Sequence, residues 1–572
     1  MLAAAIGDAL GWPIENRSGR VGGIAKVQPR LELVGWVRRE GGGYAPHEVE
    51  VEAGSYSDDT QLTLAVGRSR LRGPAWWAHW TECELPLWLL YERGGGGASK
   101  RAAQAWNRGQ APWSGAGKPS DVNRYFDAGG NGVAMRIMPH VLVGGADEFA
   151  PIASDIFADG ICTHGHPRAL IGALAHGHAL WLALGQQRTL DFGELVERSL
   201  EEEEVWATLP TPVSQVVDWE SQAGISRPEY RDIWERSRGE MRALLELCRT
   251  SLRKGSLAVD QSTLEGIGAF DKKTNGAGTI AAAAAVFLAS RYAAQPGQGL
   301  LAAAFAKGAD TDTIAAMSGS LLGAIHDDDW LAGLRPNLQD STYVEEMAGT
   351  LAQEGFRPRP VGPSWRQKDR RGLLLTLAER GVDAIVELPA FGACEVVEVR
   401  TPTTRSSNSI EEWTLRSDEG PTLHVKRVAA IKAGASQPPG GLGPRPPFWL
   451  VLQAVDLDAS EHFYVRLIGL PSQRRKKGSD RIYVSDRIVL EACRGAPTVL
   501  PTGAAEDERV LLGVGQALTL FRSASELEEL HQRLISAECP VSKVFERDGR
   551  PAFRCADPDG NVVEVRAGAE LK

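Results

Sequence analysis

"GADTDTIAAM", residues 308–317, sets Asp310 and Asp312 two positions apart at the start of a segment that otherwise reads as buried helix, "TIAAMSGSLLGAI". One short acid or hydroxyl there is an N-cap, because the first N–H groups of a helix lack intrahelical partners. A second acid and Thr313, crowded against Ala, Gly and Met, need another explanation. Three further stretches share this character: "GDALGWPIE" (Asp8, Glu15), "YSDDT" (Ser57, Asp58, Asp59, Thr60) and the Gly-rich "DAGGNGVAMRIMP" (127–139). Taken singly, "SDDT" ahead of "QLTLAV" is a capped helix start whose acids suit the helix dipole, and "GADTDT" admits the same reading. Taken together, helix ends converging in one core would gather up to five carboxylates, from Glu15, Asp58, Asp59, Asp310 and Asp312. Uncompensated, each buried charge is costly and some members must protonate. Two divalent cations would balance most of that charge. All-oxygen ligation suits the hard ions Mg²⁺ or Mn²⁺ and not zinc.

The elements that must bring these acids together are helices. "TQLTLAVGRSRL" (60–71), "RALIGALAHGHALWLALG" (168–185), "GAGTIAAAAAVFLASRYAA" (276–294) and "TDTIAAMSGSLLGAIH" (311–326) repeat apolar residues at three- and four-residue spacing. Their small residues permit close helix approach. Strand-like alternation is scarce before residue 355, so 1–355 is expected to be an all-α domain. Beyond it, "AIVELPAFGACEVVEVRT", "EEWTLRS" and "LHVKRVAAI" predict a small β module over 360–433. The Pro/Gly-dense stretch 434–447 reads as a linker, and 448–567 as an α+β domain. The predicted fold class is therefore multidomain.

Five ordered stretches, "GDALGWPIE", "YSDDTQLTL", "NGVAMRIMP", "THGHPRALIGA" and "GADTDTIAAMSGSLLGAI", carry a resemblance. Residues 1–355 resemble the ADP-ribosylglycohydrolases. The resemblance implies an all-α fold with a binuclear metal centre that cleaves the glycosidic bond at C1″ of ADP-ribose. It implies that Ser57, Asp58, Asp59, Asp310, Asp312 and Thr313 hold two Mg²⁺ (or Mn²⁺), with Asp312 bridging. Glu15 then lies at the metals and substrate, and Asp59 and Glu15 are the candidate bases. Gly130, Asn131, Gly132, Ala134, Met135 and Arg136 match the loop that wraps the diphosphate and distal ribose. Glycines there let backbone N–H groups approach phosphate closely. His164 matches a substrate-side histidine, whereas a lone histidine would read as a satisfied core or capping group.

In the last part of the chain, "FWLVLQAVDLDASEHFYVRLIGL" and "FRCADPDGNVVEV" resemble the glyoxalase, bleomycin-resistance and dioxygenase group, the vicinal-oxygen-chelate fold. Enzymes of that group hold a metal on several strands, often with a Glu near the chain end, where Glu564 stands. Trp449 occupies the position of a common His ligand, which favours a binding or assembly module over a metal enzyme.

Composition narrows the rest. A net charge of −10 leaves no general nucleic-acid footprint, and "QRRKKG" (473–478) reads as a solvated loop. The acidic "LEEEEVW" (200–206) reads as an exposed helical face or loop. No run of apolar residues is long enough to span a membrane. Seven cysteines without CxxC pairing argue against a disulfide framework or structural zinc, and the expected location is cytoplasmic. The expected partner is an ADP-ribosylated protein, nucleic acid or small molecule; oligomeric state is not encoded in any of these signals. Two rivals follow from the same residues: an ADP-ribose reader with vestigial hydrolysis, and a bifunctional enzyme with a metal-dependent lyase or dioxygenase C-terminal domain.

Overall fold

The computed structural model describes residues 1–15, 29–41 and 46–430, apart from short stretches within 115–117, 146–147, 187–189, 212–217, 256–258 and 403–407. Beyond these it describes 450–470, 474–475, 481–483, 488–492 and 518–567, apart from isolated positions. Two compact units result, Met1–Ala430 and Ile431–Lys572. The predicted linker 434–447, Trp449 and most of 473–478 lie outside the described residues.

In the first unit the long helices are α1 (Leu2–Glu15), α2 (Asp58–Arg70), α3 (Phe149–Ile161), α4 (Pro167–Leu184), α5 (Tyr230–Leu252), α6 (Gly278–Arg291) and α7 (Thr311–Ile325). Every residue of α6 from Gly278 to Ser290 is buried, as is α7 from Thr311 to Leu322. A helix apolar on all sides must be wrapped by others. Here α6 packs against α4, α5 and α7, and α7 also packs against α1. Among these helices runs an antiparallel ribbon of β1 (Trp36–Glu40) and β2 (His47–Val51), registered Trp36↔Val51 to Glu40↔His47. Both strands are short and charged; "HEVEV" alternates, with Glu48 and Glu50 exposed, whereas "WVRRE" does not. Trp36 anchors the ribbon edge-on to Trp12, with ring centroids 5.2 Å apart.

After helix α8 (Gln367–Glu379) come β3 (Ile385–Leu388), β4 (Gly392–Arg400), β5 (Asn408–Ser417) and β6 (Thr422–Ala430), an antiparallel sheet in sequential order. It does not build a core of its own. Val396, Trp413, Leu415, Leu423 and Val425 join the same buried cluster as the helices. The guanidinium of Arg68 lies 4.3 Å from the Phe391 ring centroid, and Thr422 donates through N–H and Oγ1–H to Asp340 at 2.9 and 2.8 Å. The sheet is thus part of the helical unit. "LEEEEVW" is likewise tied in, because Glu203 is buried and accepts from Arg238 at 2.6 Å and Arg242 at 2.7 Å.

The second unit holds a βαβββ unit twice. In the first copy β7 (Leu450–Ala454) leads through α9 (Leu457–Glu461) to β8 (Arg474–Arg475), β9 (Arg481–Tyr483) and β10 (Ile488–Ala492). In the second, β11 (Leu518–Arg522) leads through α10 (Ala524–Ser536) to β12 (Phe545–Arg547), β13 (Arg550–Ala556) and β14 (Val562–Ala567). Each sheet pairs its first strand parallel with its fourth, and the remaining pairs are antiparallel. The connecting helix in each copy is the crossover that a parallel pair requires. Glu564, the candidate ligand at the chain end, accepts from Arg554 at 2.7 Å and Arg566 at 2.5 Å, with Arg547 at 3.5 Å. Its carboxylate is held by guanidinium groups and is not offered to a metal.

No described helix is long and apolar enough to cross a membrane, and the six described cysteines are unpaired.

Candidate active site

Three helix ends build the site. Helices α1 and α7 run antiparallel at the closest approach that backbones allow. A Cβ on Gly7 would sit 2.2 Å from the Ala315 carbonyl oxygen, one on Gly11 2.2 Å from that of Thr311, and one on Gly319 2.3 Å from that of Ala3. No side chain fits at these positions, so the glycines fix how far one helix slides along the other. Thr311 Oγ1 locks the register by donating to the Gly11 carbonyl at 2.9 Å. Glu15, at the end of α1, therefore meets Asp310 and Asp312 at the start of α7. One oxygen from each lies within 4.8 Å of the others.

The start of α2 is brought in by Asp8. Its carboxylate accepts from Ser57 N–H at 3.0 Å, Thr60 N–H at 3.0 Å and Thr60 Oγ1–H at 2.7 Å. Asp8 thus satisfies orphan donors that a helix normally offers to its own cap. Ser57 is the N-cap residue, accepting from Asp59 N–H at 3.3 Å, and its hydroxyl also faces Asp59 Oδ2 at 3.3 Å. Asp58 and Asp59 project from this first turn beside the other acids. Asp59 is 3% exposed, and its Oδ1 is buried with no hydrogen-bond donor. Thr313 donates through N–H to Asp312 Oδ1 at 2.9 Å.

Burial, and after it the neighbouring carboxylates, holds Asp58, Asp59 and Asp312 well above the ordinary aspartate range. For Asp58 those neighbours are Asp8, Glu92, Glu15 and Asp310; for Asp312 they are Glu15, Asp310 and Asp59. Such a folded state binds more protons than the unfolded chain above about pH 4, so stability falls as pH rises through that window. The expected outcome is that protein in a chelator loses melting temperature steadily from pH 5 to 8. Millimolar Mg²⁺ or Mn²⁺ should flatten that slope. A chelated protein with a flat profile would show that these acids carry no such strain.

The Gly-rich loop is pinned next to the acids. Asn131 N–H donates to the Gly276 carbonyl at 2.9 Å, Gly278 N–H donates to that of Gly129 at 3.1 Å, and Asn131 Nδ2 reaches Asp310 Oδ2 at 2.9 Å. Gly130 and Gly132 pass the ring of His164, where a Cβ on Gly132 would meet Cε1 at 3.1 Å. His164 is 2% exposed, and burial, reinforced by Arg136, pushes it down to about 3, so it stays neutral. Its Nδ1 lies 2.7 Å from Thr163 Oγ1.

Arg136 corrects the sequence reading. It is fully enclosed, and its N–H groups bond the Asp159 carboxylate at 3.0 and 3.2 Å, the Gly132 carbonyl at 2.5 Å and Thr163 Oγ1 at 2.9 Å. Buried guanidinium and carboxylate must be mutually satisfied, so this side chain shapes the loop from behind and does not reach a ligand. Ala134 is also enclosed, with Met135 nearly so, whereas Gly130, Asn131 and Gly132 are half-buried.

A family comparison fits this geometry: the ADP-ribosylglycohydrolase sequence model matches residues 1–360. The chain belongs to the ADP-ribosylglycohydrolase family. A solved "ADP-ribosylglycohydrolase-related protein complex" is 20% identical, covering 61% of this chain and 94% of its own, with a TM-score of 0.37. A lactoylglutathione lyase from Agrobacterium tumefaciens is 25% identical over 23% of this chain and 96% of its own, with a TM-score of 0.16. A glyoxalase/bleomycin resistance protein/dioxygenase from Alicyclobacillus acidocaldarius is 19% identical over 22% and 95%, with a TM-score of 0.18. No curated protein matches the chain.

In this member of the ADP-ribosylglycohydrolase family, three groups near the acids carry no distinct site signal in the sequence. Asp8 docks α2; Glu92 adds negative charge to Asp58 and accepts from Gly95 N–H at 3.0 Å; the "GAG" of 276–278 holds the loop. Asp8 was visible as an acid in apolar sequence, but nothing in its motif separates a helix dock from a ligand. The donor set fits hard divalent cations, being all oxygen, crowded with negative charge and holding one buried carboxylate oxygen without a donor.

Proposed function

We propose that residues 1–360 form a divalent-metal-dependent hydrolase that cleaves the glycosidic bond at C1″ of ADP-ribose and releases it from a modified protein, nucleic acid or small molecule. The observation that carries this reading is the meeting of Glu15, Asp310 and Asp312 within 4.8 Å beside the donorless Oδ1 of Asp59. Asp58, Asp59, Asp310, Asp312 and Thr313 would hold two Mg²⁺ or Mn²⁺, with Ser57 orienting Asp59. Bound there, the cations supply charge balance and Lewis acidity for water and sugar hydroxyls.

The chain's own groups do the rest. Asp59 or Glu15 takes a proton from the attacking water, as general base catalysis requires. The surrounding carboxylates favour positive charge developing on the sugar, as in glycoside hydrolysis generally. Backbone N–H groups near Gly130 and Gly132 suit the diphosphate, and the Asn131 amide ties that loop to Asp310. Incubating the protein with ADP-ribosylated substrates and titrating Mg²⁺ or Mn²⁺ tests the reading. Metal-dependent release of free ADP-ribose is expected. Tight ADP-ribose binding without release would instead mark the protein as a reader.

A further inference from the structure

A cavity of about 780 Å³ lies between the β1–β2 ribbon and one face of the β4–β6 sheet, with helix α8 on its wall; Glu92 lines it, but none of Glu15, Ser57, Asp58, Asp59, Asp310, Asp312 and Thr313 does. Its size suits a small-molecule site. Thirteen of its thirty-two lining residues fall in 397–428, beyond the end of the family match at residue 360.

The charges on this wall are not evenly answered. Most of the acids have local partners, Glu92 among them, which pairs with Lys100 at 3.4 Å. Glu40 pairs with Lys426, Glu412 with His47 at 3.3 Å and Glu398 with Arg400 at 2.6 Å, while Asp340 accepts from Thr422. Glu50 and Glu52 are exposed. Arg416 is unpaired among the described residues but exposed, and two less exposed arginines have no such answer. Arg93 is 8% exposed, its Nη1 has no acceptor, and its guanidinium makes no ion pair among the described residues. It lies over the face of Trp12, 5.1 Å away, and Glu40 and Glu412 favour its charge from further off without a hydrogen bond to it. Arg370 on α8 likewise leaves a buried Nε–H without an acceptor and pairs with no acid among the described residues. Burial pulls both guanidinium groups downward, Arg93 to about 10. His424, on the same wall, is pushed down to about 3 by burial and by Arg93 and Arg400, so it adds no charge but can hydrogen-bond. A buried guanidinium without an acceptor is costly, and the group that satisfies it best is a planar or tetrahedral oxyanion.

We propose that this cavity is a second ligand site, which takes a small molecule through its carboxylate or phosphate group, bound by Arg93 and Arg370. The inference stands apart from the hydrolase reading, since it involves neither the acidic centre nor turnover.

Isothermal titration of the full chain with inorganic phosphate and, separately, with citrate, at constant ionic strength, tests it. At least one probe is expected to bind in the millimolar range or tighter, and the stronger probe identifies the anion class. Arg93→Met and Arg370→Met should each weaken that binding about tenfold, the loss of one charge-assisted contact. Arg370 lies on α8, so an anion held near Gly130 would bind Arg370→Met as it binds the wild type; Arg93 is next in sequence to Gly94, which lies against Asp58, so its variant is read beside that of Arg370. Arg370 is partly exposed and its variant decides alone if Arg93→Met does not fold. Absence of binding by either probe, or unchanged binding in the folded variants, overturns the assignment.

Discussion

Replacing Asp312 by Asn is expected to lower metal-dependent turnover by about 10²–10³-fold or more while leaving the metal-free protein as stable as the wild type, or more so. The two halves of this result have one cause. Asp312 is buried at the first turn of α7, beside Asp310, Glu15 and Asp59, and the crowding holds its carboxyl in the protonated direction. In a chelator, asparagine removes a charge that the fold resists. Its amide oxygen can still accept the Thr313 N–H that Asp312 Oδ1 accepts at 2.9 Å, so the helix start is kept. With metal present, the same change removes a negative ligand from a centre that needs charge balance, and stabilisation by Mg²⁺ or Mn²⁺ should shrink with turnover. Melting curves with and without metal, beside an ADP-ribose release assay, separate these effects. A fully active Asp312→Asn protein would remove Asp312 from the ligand set. A variant that is unfolded without metal would show that the carboxylate is structural.

The acids were legible because carboxylates embedded in Ala, Gly and Leu have few inexpensive explanations, and the helices because their apolar repeat is long. The element boundaries agree closely: "TDTIAAMSGSLLGAIH" was read at 311–326 and forms Thr311–Ile325. What sequence could not show was where long side chains end. Arg136 stands inside a Gly-rich motif and looks like a phosphate ligand. Its direction is set by Asp159, 23 residues away on α3, which no local pattern announces. The β sheet was equally deceptive. Its strands alternate well enough to read as a module, but its buried residues join the helical core, and Phe391 in the β3–β4 turn packs against Arg68 of α2 and Tyr91. Strand patterning reports that a face is buried and is silent on what buries it.

The glycines of α1 make the second large prediction. Gly11→Ala is expected to destabilise the first unit by about 2–3 kcal/mol or more and to weaken metal binding with it. The added methyl would lie 2.2 Å from the Thr311 carbonyl oxygen and 2.7 Å from Asp312 N, and both are backbone atoms that cannot turn aside. Helices α1 and α7 must then separate or slide, which also breaks the Thr311 hydroxyl bond to the Gly11 carbonyl and moves Glu15 away from Asp310 and Asp312. Gly239→Ala supplies the contrast, since it lies inside α5 with no atom within 4 Å of the new Cβ. Helix propensity then dominates, and that change should stabilise by about 0.5–1 kcal/mol. Denaturant unfolding of the two variants, with metal titration of Gly11→Ala, tests the claim. If Gly11→Ala proved as benign as Gly239→Ala, the close contact between α1 and α7 would not be what holds Glu15 in the site.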